Sequence, residues 1–321
     1  AWGWILLWSL SLYAPFYATL RSQVQGVGVV YWAKTPLRYY LLCFGLWLLP
    51  TIMDLFAHHA EGWSGALPSR KWRGFWAAWA LIVLLPWLTI LLVGGWGRLL
   101  LAALQIALSG PWLLLLQSAL LALLVADLGA QLSLDAARRN DCQVFIRLLA
   151  LLGIGLTYVT EFLYVQDLFN SRMNTMFKVY YQAWALLALS ACIALYRLRD
   201  TEGWPKLGYA TTWLLLLACL YYPVAAAYTR AEGYRGEATL DGISFLQQSS
   251  PSEYRAYEWL RALGGQRVIV EAPGESYVAS TSRMSAWSGT PTIVGWAGHE
   301  VQWRGDSREV ERRRTDVDLI Y

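Results

Sequence analysis

Long apolar runs alternate with short polar connections over the first 228 residues of the chain. A helix that spans a membrane needs about 20 predominantly apolar residues. The runs that meet or approach this length are 1–17, 38–57, 74–92, 111–129, 143–163, 177–197 and 208–227. This pattern predicts a mainly α protein, with a polytopic transmembrane bundle of about seven spans in a domain of residues 1–228.

A shorter apolar run, 98–109, does not fit the pattern of full spans. It ends at Gly110-Pro111, a pair that stops a helix. The run fits three arrangements: a helix lying in the membrane interface, a half-helix, or the start of a long kinked span.

The pattern changes after residue 228. Half of the Asp, Glu, Lys and Arg residues fall in 229–321. A helix is predicted from Ser250-Pro251, with Glu253 in its first turn, to Gly264-Gly265. Apolar segments at 267–271 and 292–295 read as strands. Residues 229–321 are therefore predicted to form a small α/β domain.

Composition supports a membrane protein. The chain is 57% hydrophobic and 15% charged, whereas soluble domains carry about 25% charged residues. Trp and Tyr number 19 each, an excess typical of the aromatic belts at membrane surfaces. The net charge of +4 gives no case for nucleic acid as a partner. The four cysteines fit neither a zinc site nor a disulfide framework. The expected partner is the lipid bilayer.

Basic loops predict the orientation in the membrane, because Lys and Arg favour the cytoplasmic side. Seven spans place loops 58–73, 130–142 and 198–207 on one side, and these carry Arg70, Lys71, Arg73, Arg138, Arg139, Arg199 and Lys206. The other side receives 18–37, 93–110, 164–176 and the C-terminal domain. We therefore expect a multi-pass protein of the plasma membrane whose C-terminal domain is extracytoplasmic.

The stretch from Glu161 to Trp184 concentrates polar side chains where the hydrocarbon region should end. It carries Glu161, Asp167, Arg172, Asn174 and Lys178. One interpretation is a polar pocket at the membrane surface; the other is a solvated loop with interfacial anchors. In a pocket, Arg172 and Lys178 could bind a phosphate, with Asn174 as a further substrate contact. Glu161 or Asp167 could act as a catalytic base or hold a divalent cation.

Two segments of the C-terminal domain add candidate substrate-binding residues. Glu271 lies on a loop after the first predicted strand, where ligand sites are common, although a solvated turn at Pro273-Gly274 explains the loop equally well. The second segment carries Trp296, His299, Glu300 and Arg304. Its tryptophans could stack on a sugar or lie on the membrane surface. One His and one Glu do not define a metal site, so the metal remains unassigned.

Several stretches together resemble a known family. TPLRYYLLCFGLWLLP, RMNTMFK and GWAGHEVQWRG are similar to the Chlor-Arch-YYY family of large polytopic membrane proteins. The resemblance covers nearly the whole chain and implies that the chain matches the middle and C-terminal parts of such proteins, without their N-terminal membrane portion. That family is itself similar to GT-C glycosyltransferases, which take sugars from polyprenyl phosphates at the outer membrane face.

One feature departs from the GT-C pattern. The usual catalytic acid of that class lies in the first outer loop, whereas 18–37 contains no Asp or Glu. Either the acid lies in the absent portion or the protein is not a transferase.

Two hypotheses from different classes follow. The first is a GT-C-like glycosyltransferase that uses a polyprenyl-phosphate sugar, with the Trp-rich C-terminal segment holding the acceptor. The second is a structural or assembly subunit that contacts other membrane subunits or its own missing N-terminal portion; a transporter is a third possibility. An enzyme requires a polar pocket open to lipid, and a structural subunit requires only a contact surface.

Overall fold

A computed structural model describes most of the chain, as two compact units. The described residues are 2–19, 24–60, 69–135, 139–167, 169–236, 238–265, 267–304 and 306–321. One unit is Gly26–Gly233, and the other combines Ala1–Gln25 with Tyr234–Tyr321. The predicted domain boundary between residues 228 and 229 stays a prediction.

Seven long helices occupy the N-terminal two thirds of the chain. They are α1 (Trp2–Thr19), α2 (Leu37–Ala60), α3 (Ser69–Ser109), α4 (Trp112–Leu132), α5 (Asp141–Val159), α6 (Met173–Leu198) and α7 (Trp204–Arg230). Helices α2 to α7 are the six helices in the described residues that are long and apolar enough to cross a membrane. A multi-pass helical bundle is therefore confirmed.

The seventh predicted span is not confirmed. Helix α1 occupies the predicted run and has 18 residues, but it is not among the helices apolar enough to cross a membrane. Its sequence, WGWILLWSLSLYAPFYAT, interrupts the aliphatic residues with Trp, Tyr and Ser. These side chains suit the membrane interface better than the hydrocarbon centre, which explains the difference.

A break at Gly95 divides α3 into two helical segments, 69–94 and 96–109. Gly95 has φ 76° and ψ 177°, a conformation that glycine adopts without steric cost. The short apolar run 98–109 is therefore a separate helical segment that follows a broken span. It ends where predicted, at Gly110 with φ 87° and Pro111 before α4.

Helices α2, α4, α5 and α6 surround the buried core of the Gly26–Gly233 unit. Helix α5 packs against α4 and α6, and α2 packs against α6 and α7. Gly153 of α5 lets α6 approach closely, because a Cβ atom there would lie 2.7 Å from Leu187 Cγ. Many other apolar side chains of the long helices are exposed, as expected of surfaces that contact lipid.

A two-stranded antiparallel sheet covers one end of this bundle. Strand β1 (Gly26–Val29) precedes α2, and β2 (Leu163–Gln166) follows α5. Gly28 lies opposite Tyr164, and a Cβ atom at Gly28 would come within 2.3 Å of the Tyr164 ring. The sheet therefore needs glycine at this position. It joins the loops before α2 and after α5 at one end of the bundle.

The described part of Tyr234–Tyr321 is mostly helical. A 3-10 turn, Glu232–Tyr234, ends at its first residue, and its helices are α8 (Phe245–Ser249), α9 (Pro251–Leu263), α10 (Arg283–Ser288), α11 (Ala297–Arg304) and α12 (Arg308–Asp318). Helix α9 confirms the predicted start at Pro251 and end before Gly264. Ser250 stands at the N-cap position, but its side chain makes no capping hydrogen bond.

The predicted α/β domain is not confirmed. The two predicted strands meet in a single parallel bridge, Ile269 with Thr292. Ile269 N donates to Pro291 O at 2.8 Å, and Ile293 N donates to Ile269 O at 3.3 Å. Glycines before the first segment and prolines beside both segments limit their length. Apolar segments of four or five residues are too short to determine a sheet when both flanks favour turns.

Most of the basic residues on which the orientation prediction rests are not described by the structure. Arg138 lies outside the described residues, and the side chains of Arg70, Lys71 and Arg73 also lie outside them. The side of the membrane that each bundle end faces stays a prediction. We therefore call the two ends the Glu161 end and the Arg147 end, after a buried residue at each.

Candidate functional site

Glu161 lies fully buried at the end of the bundle covered by the sheet. It follows α5 directly, and its exposed fraction is 0%. Thr35, in the loop before α2, holds both carboxylate oxygens: Thr35 Oγ1 donates to Oε1 at 2.6 Å, and Thr35 N donates to Oε2 at 2.9 Å. The carboxylate therefore links the start of α2 to the end of α5.

Arg172 contacts the same carboxylate from the third polypeptide segment at this end. Its Nη1 donates to Glu161 Oε1 at 3.1 Å, and its Nη2 donates to Thr35 Oγ1 at 3.2 Å. The Arg172 side chain is 11% exposed, so solvent screens the pair little. A partly buried guanidinium generally pairs with a carboxylate or a phosphate, and Glu161 is the carboxylate that pairs with Arg172.

A buried tyrosine hydroxyl lies close to this pair. Tyr180 Oη, from α6, is buried and interacts electrostatically with Glu161 and Arg172, and the Thr35 and Thr160 side chains lie close to it. Tyr180 therefore adds one more side chain to the polar cluster at the Glu161 end.

Lys34 is a buried cation at the Glu161 end that the sequence did not single out. Its side chain is 8% exposed. Lys34 Nζ donates to Val30 O at 3.1 Å and to the backbone carbonyl of Glu161, and it lies 4.6 Å from the centre of the Phe162 ring. Burial lowers the pKa of the Lys34 ammonium from 10.5 to about 8, although the Glu161 carboxylate acts in the opposite direction.

The lowered pKa of Lys34 predicts that the protein gains stability as the pH rises from about 8 towards 10.5. Within this window the unfolded chain still binds the proton and the folded protein has lost it, so rising pH favours the folded state. The expected gain in the free energy of unfolding is about 3 kcal/mol. Denaturation of the detergent-solubilised protein at pH 7.5 and 10 measures it. The Lys34→Met variant should lack this gain, and an identical pH dependence in both proteins would contradict the assignment.

Asp167 and Asn174 form a second pair, which shapes the loop before α6. Asp167 Oδ1 accepts from Phe169 N at 3.0 Å, and Oδ2 accepts from Asn174 Nδ2 at 2.6 Å. Asn170, at φ 45°, accepts from the Tyr164 hydroxyl at 2.8 Å. Asp167 is half-buried, so it is the more accessible of the two candidate carboxylates.

Lys178 is exposed on the second turn of α6. It makes no hydrogen bond or ion pair with the residues described here. It therefore differs from Arg172, whose guanidinium is held by Glu161 and Thr35. An exposed ammonium without a protein partner has its full charge available to a ligand.

An apolar groove of about 460 Å³ lies at the Glu161 end of the bundle. Side chains of α5, β2 and α6 line it, among them Leu152, Gly155, Val159, Val165 and Val179. Two of its lining residues flank Lys178 in the sequence: Thr175 lies three residues before it, and Val179 follows it directly. Since residues three apart on a helix are neighbours, Lys178 lies next to the lining residue Thr175, at the edge of the groove.

The described residues do not assemble a metal site at this end. No three His, Cys, Asp or Glu side chains come together among them as metal binding would require. Glu161 is occupied by Thr35 and Arg172, and both Asp167 oxygens accept hydrogen bonds. The expectation of a divalent cation therefore finds no ligand set in these residues.

A second charged cluster lies buried at the opposite end of the bundle. Arg147 of α5, 0% exposed, donates from Nη1 to Asp54 Oδ2 at 2.7 Å and from Nε to Asp127 Oδ2 at 3.0 Å. Arg197 Nε lies 2.9 Å from Asp54 Oδ1. Four helices, α2, α4, α5 and α6, meet at these charges. The signal was present in the sequence, because all four residues fall inside predicted spans, where charges are rare and paired.

In the C-terminal unit, Glu271 has a structural partner. Its Oε1 accepts from Met284 N and its Oε2 accepts from Ser285 N, both at 3.0 Å. These two amides lie in the first turn of α10 and have no partner within the helix. Glu271 therefore caps this short helix, although it is not adjacent to it in the sequence.

The other four C-terminal candidates lie together along α11 and the residue before it. Trp296 Nε1 donates to Thr281 O at 3.1 Å, and the Trp296 and His299 rings lie 5.1 Å apart. Glu300 Oε1 accepts from Gly295 N at 2.7 Å, and Glu300 Oε2 lies 3.3 Å from Arg304 Nε. All four residues line one cleft of about 530 Å³.

Comparison with known families bears on the Glu161 end. Residues 1–187 match the family of uncharacterised membrane proteins DUF2298. The chain belongs to this family. The DUF2298 match includes Lys34, Glu161, Arg172 and Lys178, whereas the C-terminal cleft lies outside it. A comparison with curated proteins and with solved structures finds no significant match.

The match to DUF2298 and the six apolar helices both indicate a membrane protein. The chain is an integral membrane protein that contacts the lipid bilayer. The residues at the Glu161 end come from three separate segments of the DUF2298 region, and the fold brings them within hydrogen-bonding distance of one another.

Proposed function

We propose that the protein is a membrane glycosyltransferase that takes a sugar from a polyprenyl phosphate at the outer face of the plasma membrane. The observation that carries the proposal is the apolar groove on α5 and α6, whose lining residue Thr175 is a helical neighbour of the exposed Lys178. A polyprenyl chain fits an apolar groove on a membrane-spanning surface, and its phosphate needs a cation at the depth of the lipid headgroups. The resemblance to Chlor-Arch-YYY and GT-C proteins agrees with this ligand class.

The side chains near the groove suit the departure of a phosphate. During transfer, the bond between sugar C1 and the phosphate oxygen breaks, and the bonding electrons stay on that oxygen. A bond forms between C1 and the acceptor oxygen, whose proton leaves to a base. Lys178 and Arg172 would stabilise the growing negative charge.

The two carboxylates suit different roles. Glu161 is buried and bound to Arg172 and Thr35, so we assign it the role of positioning the guanidinium. Asp167 is more accessible and remains the candidate base, with Asn174 holding its orientation through the 2.6 Å hydrogen bond. A base must reach the proton that it removes, which favours Asp167 over Glu161.

Blocking the groove tests this function. The full-length protein, reconstituted in liposomes, is assayed for transfer from a panel of polyprenyl-phosphate sugars. In the Gly155→Phe variant the new ring should occupy the groove and exclude part of the polyprenyl chain. Loss of two buried CH₂ groups costs about 1.6 kcal/mol, so the KM for the lipid donor should rise by more than about tenfold.

Gly129→Phe is the matched control for Gly155→Phe. Gly129 lies on α4, with no atom within 4 Å of an added Cβ, so it adds the same ring to another exposed helix surface. Its KM should equal that of the wild type. Absence of transfer by the wild-type protein with every donor would overturn the proposal and favour a structural subunit.

A further inference from the structure

We propose that the cleft of the C-terminal unit binds a neutral saccharide. The cleft is about 530 Å³, within the range of pockets that hold small ligands. Three tryptophans line it, Trp287, Trp296 and Trp303. This binding needs no reaction at the bundle, so the inference stands or falls independently of the proposed glycosyltransferase.

The orientation of Trp296 is fixed by its surroundings. Its Nε1 donates to Thr281 O at 3.1 Å. The Tyr277 and His299 rings meet edge to face at 4.7 Å, and both pack against Trp296, with centroids 5.7 and 5.1 Å from its own. A rigid aromatic surface loses little conformational entropy when a ligand covers it. The hydrogen-bonding edge of Trp296 is satisfied by the protein, so the part of the ring that lines the cleft offers apolar contact.

The positive charges of the cleft are balanced by carboxylates, one of which, Glu253, lies outside the lining residues. Arg283 pairs with Glu253 and lies 5.6 Å from the Trp287 ring, and Arg304 pairs with Glu300 at 3.3 Å. An anionic ligand would have to compete with these carboxylates. A metal ion would need a cluster of ligands that the described residues do not form. The balance of charge therefore favours a neutral ligand.

A pyranose sugar matches both properties of the cleft. One of its faces carries C–H groups and packs on an indole, whereas its edge carries hydroxyls that both donate and accept hydrogen bonds. Paired guanidinium and carboxylate groups at the rim supply donors and acceptors together. An apolar side chain of a peptide would use the indoles and leave these polar groups without a matching ligand.

Saturation-transfer NMR on the full-length protein tests the inference. The detergent must have a headgroup without sugar, because a maltoside would itself occupy the cleft. We expect saturation transfer to the ring protons of neutral oligosaccharides of glucose, mannose or galactose. Trp303→Ala should weaken this binding by at least about tenfold, since removal of a tryptophan that contacts a ligand commonly costs this much. Trp303 is 76% exposed, so its loss should not disturb folding.

Trp259→Ala is the control variant. Trp259 is also exposed, at 62%, and belongs to the same unit, on α9 outside the cleft. Binding should be unchanged in this variant. Equal loss in Trp259→Ala and Trp303→Ala, no saturation transfer to any neutral oligosaccharide, or tighter binding of acidic than of neutral sugars would each overturn the inference.

Discussion

Replacing Arg147 by Ala should destabilise the protein more than any other single change considered. Arg147 is 0% exposed and bridges Asp54 and Asp127 at 2.7 and 3.0 Å. Without Arg147, the two buried carboxylates of Asp54 and Asp127 lose the guanidinium group that they share. Removal of one partner from a buried ion pair typically costs about 3–5 kcal/mol. We expect a marked fall in the yield of monodisperse protein and a lower denaturation midpoint in detergent.

Arg139→Ala is the matched control for Arg147→Ala. Arg139 pairs with Asp141 at 2.7 Å, but the Asp141 side chain is 81% exposed. Exposed pairs contribute about 0–1 kcal/mol, so this variant should behave like the wild type. Replacing Arg147 by Met together with Asp127→Asn should recover part of the loss, because Asp54 keeps Arg197 as its partner and no other uncompensated charge stays in the cluster. Equal stability of Arg147→Ala and Arg139→Ala would contradict a stabilising role.

The spans could be predicted from the sequence because they depend on length and apolar content alone. Helices α2 to α7 follow the apolar runs closely. The Gly95 break could not be located in the same way, since Gly94, Gly95 and Gly97 are all candidates and tertiary packing selects one. Gly94 lies against Val29 and Arg98, where a Cβ atom would approach to 3.0 Å. Val29 is far from Gly94 in the sequence, so this contact leaves no local sequence pattern.

The central polar stretch was identified from its concentration of charge, but its partners were only partly predictable. Arg172 and Glu161 lie in one stretch, and a polar pocket formed by this stretch was one of its two interpretations. Thr35 and Lys34 lie more than 120 residues away in the sequence, and nothing local indicates that the loop before α2 joins them. The groove beside Lys178 depends on the relative placement of α5, β2 and α6, which apolar periodicity does not determine.

The C-terminal unit shows the limit of short patterns. Helix α9 was predicted because its start at Pro251 and its end at Gly264-Gly265 are encoded locally. The strand at 267–271 was predicted from its β-branched residues, yet it pairs at one position only. Strand pairing depends on a partner of sufficient length, and neither segment provides one.

Lys178→Ala should lower transfer from a polyprenyl-phosphate sugar by about 10²–10³-fold while leaving stability unchanged. Removal of one strong electrostatic donor at a catalytic site has an effect of this size. The residue is exposed, and it has no hydrogen bond or ion pair within the described chain. The variant therefore separates catalysis from folding, which Arg172→Ala cannot do, since that change also removes the partner of the buried Glu161 carboxylate. Initial rates and denaturation midpoints of the liposome-reconstituted protein provide the two measurements.

Lys206→Ala and Lys178→Arg complete the test of Lys178. Lys206 is an exposed lysine near the start of α7, and its Nζ donates to Arg199 O, one residue beyond the last residue of α6. It therefore lies near the Arg147 end of the bundle, remote from the groove, and its loss should not change the rate of transfer. Lys178→Arg keeps the positive charge. It should retain much of the activity, because the charge matters more to the phosphate than the hydrogen-bonding geometry of the cation. An active, stable Lys178→Ala protein would show that the ammonium is a membrane anchor and would remove it from the phosphate site. A loss of activity in Lys178→Ala that Lys178→Arg restores would instead identify the positive charge at the edge of the groove as the feature that the lipid phosphate requires.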